Sequence, residues 1–502
     1  MLFNKSLKKA DKTAPVQGAT LQSSGYRMLT QAQLEEIHLA SLEILRRTGV
    51  RVHEAESLTL LREAGCVFTD GNLVHFPPAV IENAIADAPS RIVMCDRTGE
   101  PRMYLEGQRV NYGTGSDLPN TIDLETGERR PSLLSDIKNA ARLADWLPNL
   151  DFVMSMALPS DVPMQTSDRR SFLAMTENTI KPLVFTAWDE GGLADIISMA
   201  EAIAGGPDEL KLAPFLLAYL EPTTPLQHTE VVLRKVLMMA DHGLPFVYAP
   251  GPVDGGTSPV TPAGSMALAN AEVLSGITIA QLRRKGTPVV WGSGSGPLDM
   301  RTMVATYSSP EFMLHCMAMA EMAHYYYNKP VWGFAGCSDS KLPDIQAGIE
   351  SSLWILWMAL SGANLVHDTG YIESGLTASY EMMVVCDEII GFVRRLMSGI
   401  EITPETLALD VIDKVGPGGS YLTSPHTKQH FREVWYPRVL DRHNYHGWMQ
   451  AGQPTVNKTS REIARDAIYH HQPIPLPQAT LDILNSIIAE ADKRAGIVQG
   501  LG

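Results

Sequence analysis

Residues 333–344 read Gly-Phe-Ala-Gly-Cys-Ser-Asp-Ser-Lys-Leu-Pro-Asp, between a short apolar run and a long apolar helical stretch. A strand that ends in glycines and then presents short polar side chains is typical of the catalytic mouth of an α/β barrel. Glycines let a ligand approach the backbone closely, and small polar groups can hydrogen-bond without filling the pocket. The alternative is an ordinary strand-to-helix loop, in which Asp339 or Ser340 only caps the following helix.

The same pattern of strand and glycine-rich loop recurs along the chain, with roughly 30 to 45 residues between strands and helical periodicity in most of the gaps. The strands are apolar without alternation, as in a parallel sheet that is buried on both faces. This spacing predicts a (β/α)8 TIM barrel, although a doubly wound sheet would suit it as well. The eight strand candidates are Arg109–Thr114, Phe152–Ala157, Pro182–Ala187, Pro214–Leu220, Pro245–Ala249, Pro288–Gly292, Pro330–Ala335 and Ala363–His367.

The segments on either side of the predicted barrel have different patterns. Thr30 and Gln33 form a capping-box signature for a helix over Gln31–Thr48. Beyond Glu401 the chain is rich in Pro and aromatic residues, with helical periodicity near its end. We therefore predict four parts: a flexible tail (1–26), a helical cap with short antiparallel strands (27–108), the barrel (109–400) and a helical extension (401–502).

Composition excludes several classes of protein. The formal net charge is −15 and no basic stripe is present, which argues against nucleic-acid binding. The five cysteines are widely scattered, so neither a disulfide framework nor a zinc site is expected. The most apolar segment, Ser351–Val366, falls short of the roughly 20 residues that a membrane span needs. We predict a cytoplasmic protein that does not enter the membrane.

Glycines, small hydroxyls and a few carboxylates follow the predicted strands, with Lys341 as the notable cation. A phosphate site would need more Arg and Lys, and no HxH or HExxH pattern indicates a bound metal. Glu221 with Glu321 or Glu350 could form the carboxylate pair of a glycosidase, which makes a barrel hydrolase one alternative function.

Several motifs stand out along the chain: residues 112–117 (Tyr-Gly-Thr-Gly-Ser-Asp), 221–226 (Glu-Pro-Thr-Thr-Pro-Leu), 336–348 around Cys337, 418–422 (Gly-Gly-Ser-Tyr-Leu), 426–427 (His-Thr) and 435–437 (Trp-Tyr-Pro). Together they resemble the trimethylamine methyltransferase family of corrinoid-dependent methyltransferases. The resemblance implies a (β/α)8 barrel that moves a methyl group from an amine to the Co(I) of cobalamin on a separate corrinoid protein. No non-standard residue is present, so the chain resembles the branch without pyrrolysine, whose characterised members demethylate quaternary amines such as glycine betaine.

The resemblance implies how a quaternary amine is held. A quaternary nitrogen offers no hydrogen bond, so aromatic faces and a nearby carboxylate should surround it. The predicted aromatic faces are Tyr112, Phe334 and Tyr371, and the predicted carboxylate is Glu221. The predicted donors to a betaine carboxylate are His367, Ser338, Ser340 and Lys341.

Two glycine-rich loops are the predicted docking surface for the corrin ring: Asp254, Gly255, Gly256 and Thr257, and Ser293, Gly294, Ser295 and Gly296. The expected partners are therefore a quaternary amine and a cognate corrinoid protein, and we also expect a homo-oligomer without a metal ion of its own. A non-catalytic protein that only binds a quaternary amine is the second alternative function.

Overall fold

The computed structural model describes residues 21–23 and 25–497. Most of the predicted tail (1–26) lies outside these residues, although Leu21–Gln22 pair with Arg109–Val110 as an antiparallel strand. The division of the chain into four parts stays a prediction.

The fold is α/β, with parallel and antiparallel strands. The strands are β1 (Leu21–Gln22), β2 (Val50–Val52), β3 (Val67–Thr69), β4 (Leu73–His75), β5 (Ile92–Cys95), β6 (Pro101–Leu105), β7 (Arg109–Tyr112), β8 (Asn120–Ile122), β9 (Arg129–Pro131), β10 (Leu183–Phe185), β11 (Leu216–Leu220), β12 (Gln227–His228), β13 (Phe246–Tyr248), β14 (Val253–Asp254), β15 (Val289–Trp291), β16 (Gly296–Asp299), β17 (Val304–Ala305), β18 (Trp332–Phe334), β19 (Leu365–His367), β20 (Tyr371–Ile372) and β21 (Thr377–Ala378).

The helices are α1 (Gln31–Glu43), α2 (Ala55–Glu63), α3 (Pro78–Asp87), α4 (Leu134–Trp146), α5 (Ser167–Asn178), α6 (Glu190–Ala204), α7 (Pro207–Leu212), α8 (Glu230–His242), α9 (Pro262–Arg283), α10 (Pro310–Glu321), α11 (Ile345–Ser361), α12 (Tyr380–Met397), α13 (Pro404–Leu407), α14 (Leu409–Val415), α15 (Pro425–His430), α16 (Tyr445–Gln450), α17 (Val456–His470) and α18 (Gln478–Arg494). Ile44–Thr48 and Met322–Tyr327 are π-helical, and Met164–Thr166 and Phe431–Glu433 are 3-10 turns.

The central strands lie in two sheets with parallel pairing. One has the order β10-β11-β13-β15, and β7, β19 and β18 are the parallel strands of the other. Isolated parallel bridges link these sheets: Trp291 to Val331 on one side, and Gly113 to Phe152 and Val153 to Leu183 on the other. Seven of the eight predicted strands are therefore confirmed as strands, whereas Phe152–Ala157 makes only single bridges.

The predicted capping box is confirmed at the start of α1. The Thr30 hydroxyl accepts a hydrogen bond from the Gln33 amide, and the Gln33 side chain accepts one from the Thr30 amide. The helix continues through its π-helical turn to Thr48, which is the predicted end. Near the other end of the chain, α17 packs on α4 and α12, and α18 packs on α6.

One helix in the described part of the chain, α9, is long and apolar enough to cross a membrane by length and composition. However, 83% of its most apolar stretch is buried inside the protein. Such burial is typical of a core helix.

Candidate active site

A cavity of about 510 Å³ opens at the carboxyl ends of the parallel strands. Each of the eight parallel segments contributes a lining residue at or just beyond its carboxyl end: Ser116, Met154, Thr186, Tyr219, Pro250, Gly294, Phe334 and His367. This is the edge at which catalytic side chains collect in parallel α/β folds. The cavity is therefore the candidate active site.

Aromatic rings form one wall of the cavity. His367 lies with its ring centroid 4.4 Å from that of Phe334 and 6.1 Å from that of Tyr219. Phe312 lies 5.2 Å from Phe334, and Trp332 packs 4.5 Å from His367 at the edge of the cluster. The wall thus contains several aromatic rings, a type of group whose face attracts a cation through its quadrupole.

Two glycines leave room for the side chains of Phe334 and Tyr371 at the cavity wall. A Cβ at Gly294 would lie 2.4 Å from the Phe334 ring, and one at Gly115 would lie 2.2 Å from the Tyr371 hydroxyl oxygen. Both distances are far below van der Waals contact, so any larger residue would displace these rings. The glycines that the sequence shows at the strand ends are needed here for close packing of aromatic side chains.

Two carboxylates face the cavity in surroundings that disfavour their charge. The Tyr219 hydroxyl donates a 2.6 Å hydrogen bond to Oε1 of Glu221. Desolvation raises the pKa of Glu221, against the opposing effect of that hydrogen bond, and Asp117 adds repulsion. Desolvation likewise raises the pKa of Asp117. A bound cation would favour the ionised form of both groups.

His367 and Asp368 are adjacent on the cavity wall and almost fully buried. Nδ1 of His367 lies 2.6 Å from Oδ1 of Asp368. Their relative orientation is not that of a hydrogen bond, and neither side chain has a hydrogen-bond partner among the described residues. Asp368 also adopts φ 78°, a left-handed conformation that costs a non-glycine residue about 1–3 kcal/mol. Unpaired polar groups and backbone strain at one point are typical of a ligand site.

Sequence reasoning missed the cation that does line the cavity, Lys235 on α8. Its ammonium donates a 2.7 Å hydrogen bond to the carbonyl of Ala187, and desolvation lowers its pKa. Asp168 on α5 and Trp188 also line the cavity. Lys235 and Asp168 lie on helices, so only the tertiary fold brings them to the mouth, whereas Trp188 directly follows the predicted strand Pro182–Ala187.

Four of the eight predicted substrate residues line the cavity, and the other four do not. Glu221, Phe334, His367 and Tyr371 line the cavity. Tyr112 lies in the core, with its hydroxyl donating to the Ile355 carbonyl at 2.8 Å. Ser338, Ser340 and Lys341 lie outside the cavity lining, in the loop before α11.

This loop is held by its own polar contacts. Ser338 donates a 2.6 Å hydrogen bond to Glu350, and Ser340 donates a 2.9 Å bond to Asp344, which caps α11. The Lys341 ammonium donates to the Asp339 carbonyl. These contacts are those of a structured strand-to-helix connection, and the predicted contacts with substrate stay predictions.

The two predicted docking loops meet in a buried hydrogen-bond network. Ser295 and Ser258 both donate to Asp254, and Ser293 contacts His315 at 2.9 Å. Gly294 and Gly296 line the cavity, whereas Gly255 and Gly256 are exposed and Thr257 is half-buried. The network links the two loops through their side chains and leaves their glycines at the cavity or the surface.

The family profile described as trimethylamine methyltransferase (MTTB) matches residues 4–496. The chain belongs to the trimethylamine methyltransferase family. The family predicted from the motifs is therefore confirmed, and with it the prediction of a corrinoid-dependent methyltransferase.

Relatives with different names match nearly the whole chain. A trimethylamine methyltransferase MttB of Desulfitobacterium hafniense (strain DSM 10664 / DCB-2) is 32% identical, over 96% of this chain and 97% of the relative. A glycine betaine methyltransferase of Desulfitobacterium hafniense (strain Y51) is 31% identical, over 94% and 98%. The crystal structure of the Methanosarcina barkeri monomethylamine methyltransferase (MtmB) has a TM-score of 0.49 at 9% identity, covering 98% of this chain and 91% of that one.

Proposed function

We propose that the chain transfers a methyl group from a quaternary amine, glycine betaine, to the Co(I) of a partner corrinoid protein. The observation that carries the proposal is the lining of the cavity, in which aromatic rings accompany the carboxylates Asp117, Glu221 and Asp368. The described lining also contains the ammonium of Lys235 and the carboxylate of Asp168, which pairs with Arg169 at 2.8 Å. Because carboxylates outnumber ammonium groups in this lining, the site favours a cation. A quaternary ammonium suits it because ring faces replace the hydrogen bonds that its nitrogen cannot form.

We further infer that the eight parallel segments form one closed (β/α)8 barrel. The two sheets and the isolated bridges between them lead from each segment to the next, and β19 pairs with β7. Closure would bring all eight carboxyl ends to one mouth. This agrees with the observation that each segment supplies a residue to the lining of the cavity.

The proposed reaction needs no general base. The N–CH₃ bond breaks and its electron pair stays on nitrogen, while Co(I) supplies both electrons of the new Co–C bond. The products are a neutral tertiary amine, dimethylglycine, and methyl-Co(III). The protein's part is to hold the N–CH₃ bond in line with the cobalt, since orientation alone lowers such a barrier strongly. Phe334, Tyr219 and His367 are the side chains proposed to hold the ammonium group.

Lys235 supports glycine betaine over an amine that lacks a carboxylate. A betaine carries its carboxylate close to its ammonium group, and Lys235 is the ammonium side chain in the cavity lining. An anion there would also oppose the desolvation that lowers the pKa of Lys235. We propose that Lys235 receives the substrate carboxylate. The donors Ser338, Ser340 and Lys341 predicted from sequence lie outside the cavity lining, and His367 is proposed for the ammonium group.

The loops 254–257 and 293–296 are the proposed docking surface for the corrin. Gly294 and Gly296 line the cavity, and Gly255 and Gly256 are exposed. The absence of side chains at the exposed Gly255 and Gly256 would let a flat ring approach the backbone closely, whereas neighbouring residues fill the corresponding space at Gly294 and Gly296.

The glycosidase alternative needs Glu221 and either Glu321 or Glu350 in one cavity, and the structure brings neither pair together there. Glu321 accepts hydrogen bonds from the amides of Met28 and Leu29, and Glu350 accepts one from Ser338. Neither lines the cavity that contains Glu221.

A substrate panel tests the proposal. The purified chain is mixed without oxygen with reduced cob(I)alamin and with glycine betaine, trimethylamine, choline or carnitine. We expect methylcobalamin from glycine betaine and little from trimethylamine. Equal or faster transfer from trimethylamine would overturn the assignment of substrate, and ligand binding without transfer from any amine would favour the non-catalytic alternative.

A further inference from the structure

The C-terminal extension contains a stretch, residues 404–450, with very little apolar core of its own. The structure describes every residue of four short helices in this stretch, and none of these residues is buried. The helices are α13, α14, α15 and α16. Several large apolar side chains in this stretch are instead exposed, among them Leu409, Leu422 and Tyr436. Short helices without a buried face need another source of stability, such as a metal ion.

Three potential metal ligands meet within this stretch. His426 and His430 lie one turn apart on α15, with ring centroids 4.4 Å apart, and Glu405 comes from α13. Their ligand atoms all lie within 4.8 Å of one another. Nε2 of His430 is 3.3 Å from Oε1 of Glu405, close to the ~3.3 Å that separates two ligands on a tetrahedral zinc with bonds of about 2.0–2.1 Å.

The surroundings of these ligands support an ion. Nε2 of His426 is buried and has no hydrogen-bond partner among the described residues. Nδ1 of His430 contacts Oε1 of Glu433 at 2.8 Å. Such a carboxylate fixes the tautomer and the orientation of a metal-binding histidine.

We propose that Glu405, His426 and His430 bind a zinc-type divalent cation that ties α13 to α15 and stabilises residues 404–450. Two imidazoles and one carboxylate are a donor set that suits zinc, whereas calcium and magnesium prefer oxygen ligands alone. This proposal differs from the expectation, drawn from the sequence, that the chain binds no metal. That expectation rested on the absence of HxH and HExxH patterns, and Glu405 is far in sequence from the two histidines.

Metal analysis of the full-length chain tests the proposal, after expression with added zinc and gel filtration without chelator. We expect about one zinc per chain in the unaltered protein and in the control His470→Gln, whose exposed imidazole contacts Asp466 outside the cluster. Glu405→Gln and His426→Asn should lose the ion. Glu433→Gln, which removes no ligand, should weaken zinc binding about 10–100-fold.

A second measurement separates loss of the ion from loss of the fold. A chelator added to the unaltered protein should speed proteolytic cleavage within 404–450 while the rest of the chain stays intact. The proposal is overturned if the unaltered chain retains no zinc and gives no Co²⁺ ligand-field absorption on titration. It is also overturned if Glu405→Gln and His426→Asn retain as much zinc as the control.

Discussion

Glu221 is the cavity carboxylate that carries most of the proposed recognition. It follows β11, accepts a hydrogen bond from Tyr219 and has its pKa raised by desolvation. An ionised carboxylate in such surroundings attracts a nearby cation more strongly than it would in water. The contribution of Glu221 to ligand binding should therefore depend on the charge of the ligand rather than on the shape of the ligand.

We predict that Glu221→Gln weakens the binding of glycine betaine roughly tenfold or more, a loss of at least about 1.4 kcal/mol. The measurement is calorimetric titration of both proteins with the betaine and with 3,3-dimethylbutanoate, which has a neutral carbon in place of the nitrogen. Affinity for the neutral analogue should change little. An equal loss for both ligands would show that Glu221 acts by shape alone.

The raised pKa values of Glu221 and Asp117 predict how binding depends on pH. The cation favours the ionised carboxylates, so affinity is complete above their raised pKa values and falls as they take up protons. The fall should begin while the pH is still above the ordinary value of 4.5 for a glutamate. Titrations across the acid range should show a shallower dependence in Glu221→Gln than in the unaltered chain. An identical dependence in both would contradict this assignment.

At the scale of elements, sequence periodicity predicted the strands that build the mouth and the capped helix α1. Buried parallel strands and capping boxes have local signatures, so the pattern was sufficient. The antiparallel pairs β20-β21, β8-β9 and β16-β17 were not predicted, because strands of two to four residues have too few positions to show alternation.

The candidate site was predictable only where it follows the strand ends. Phe334 and His367 end β18 and β19 and line the cavity, as the barrel pattern suggested. Tyr112 ends β7, yet it lies in the core, because a side chain at a strand end can point towards the helices as well as into the mouth. Lys235 reaches the cavity from a helix, so no pattern of strand ends could indicate it.

The helix α9 contains a carboxyl group that makes stability depend on pH. Glu272 is fully buried, its Oε1 accepts a hydrogen bond from the Leu226 amide, and Oε2 has no partner among the described residues. Burial raises its pKa from 4.5 to about 7. Its contribution to stability is therefore complete below pH 4.5 and is lost as the pH rises through about 7.

We predict that Glu272→Gln removes this dependence, because the amide stays neutral and its oxygen can still accept the Leu226 hydrogen bond. Relative to the variant, the unaltered protein should lose about 3 kcal/mol of unfolding free energy between pH 5 and pH 8. Urea unfolding of both proteins at these pH values measures the difference. Glu63→Gln, at an exposed position of α2, is the control and should leave the dependence unchanged. Equal pH dependence in Glu272→Gln and the unaltered protein would contradict the prediction.

At the scale of the whole molecule, two small sheets include strands that follow the carboxyl ends of the parallel strands. Strands β2, β3 and β4 form a sheet with β12, which follows β11, and the sheet β20-β21-β8-β9 contains strands that follow β7 and β19. The function assigned to the chain therefore depends on what can reach this one mouth.

Transfer of a labelled methyl group tests this central claim most directly. Glycine betaine with deuterated N-methyl groups is mixed with cob(I)alamin and the purified chain without oxygen, and both products are analysed by mass spectrometry. The proposal predicts one deuterated methylcobalamin and one dimethylglycine with two labelled methyl groups for each Co(I) consumed. Consumption of neither reactant, in a preparation that binds both cobalamin and glycine betaine, would contradict it.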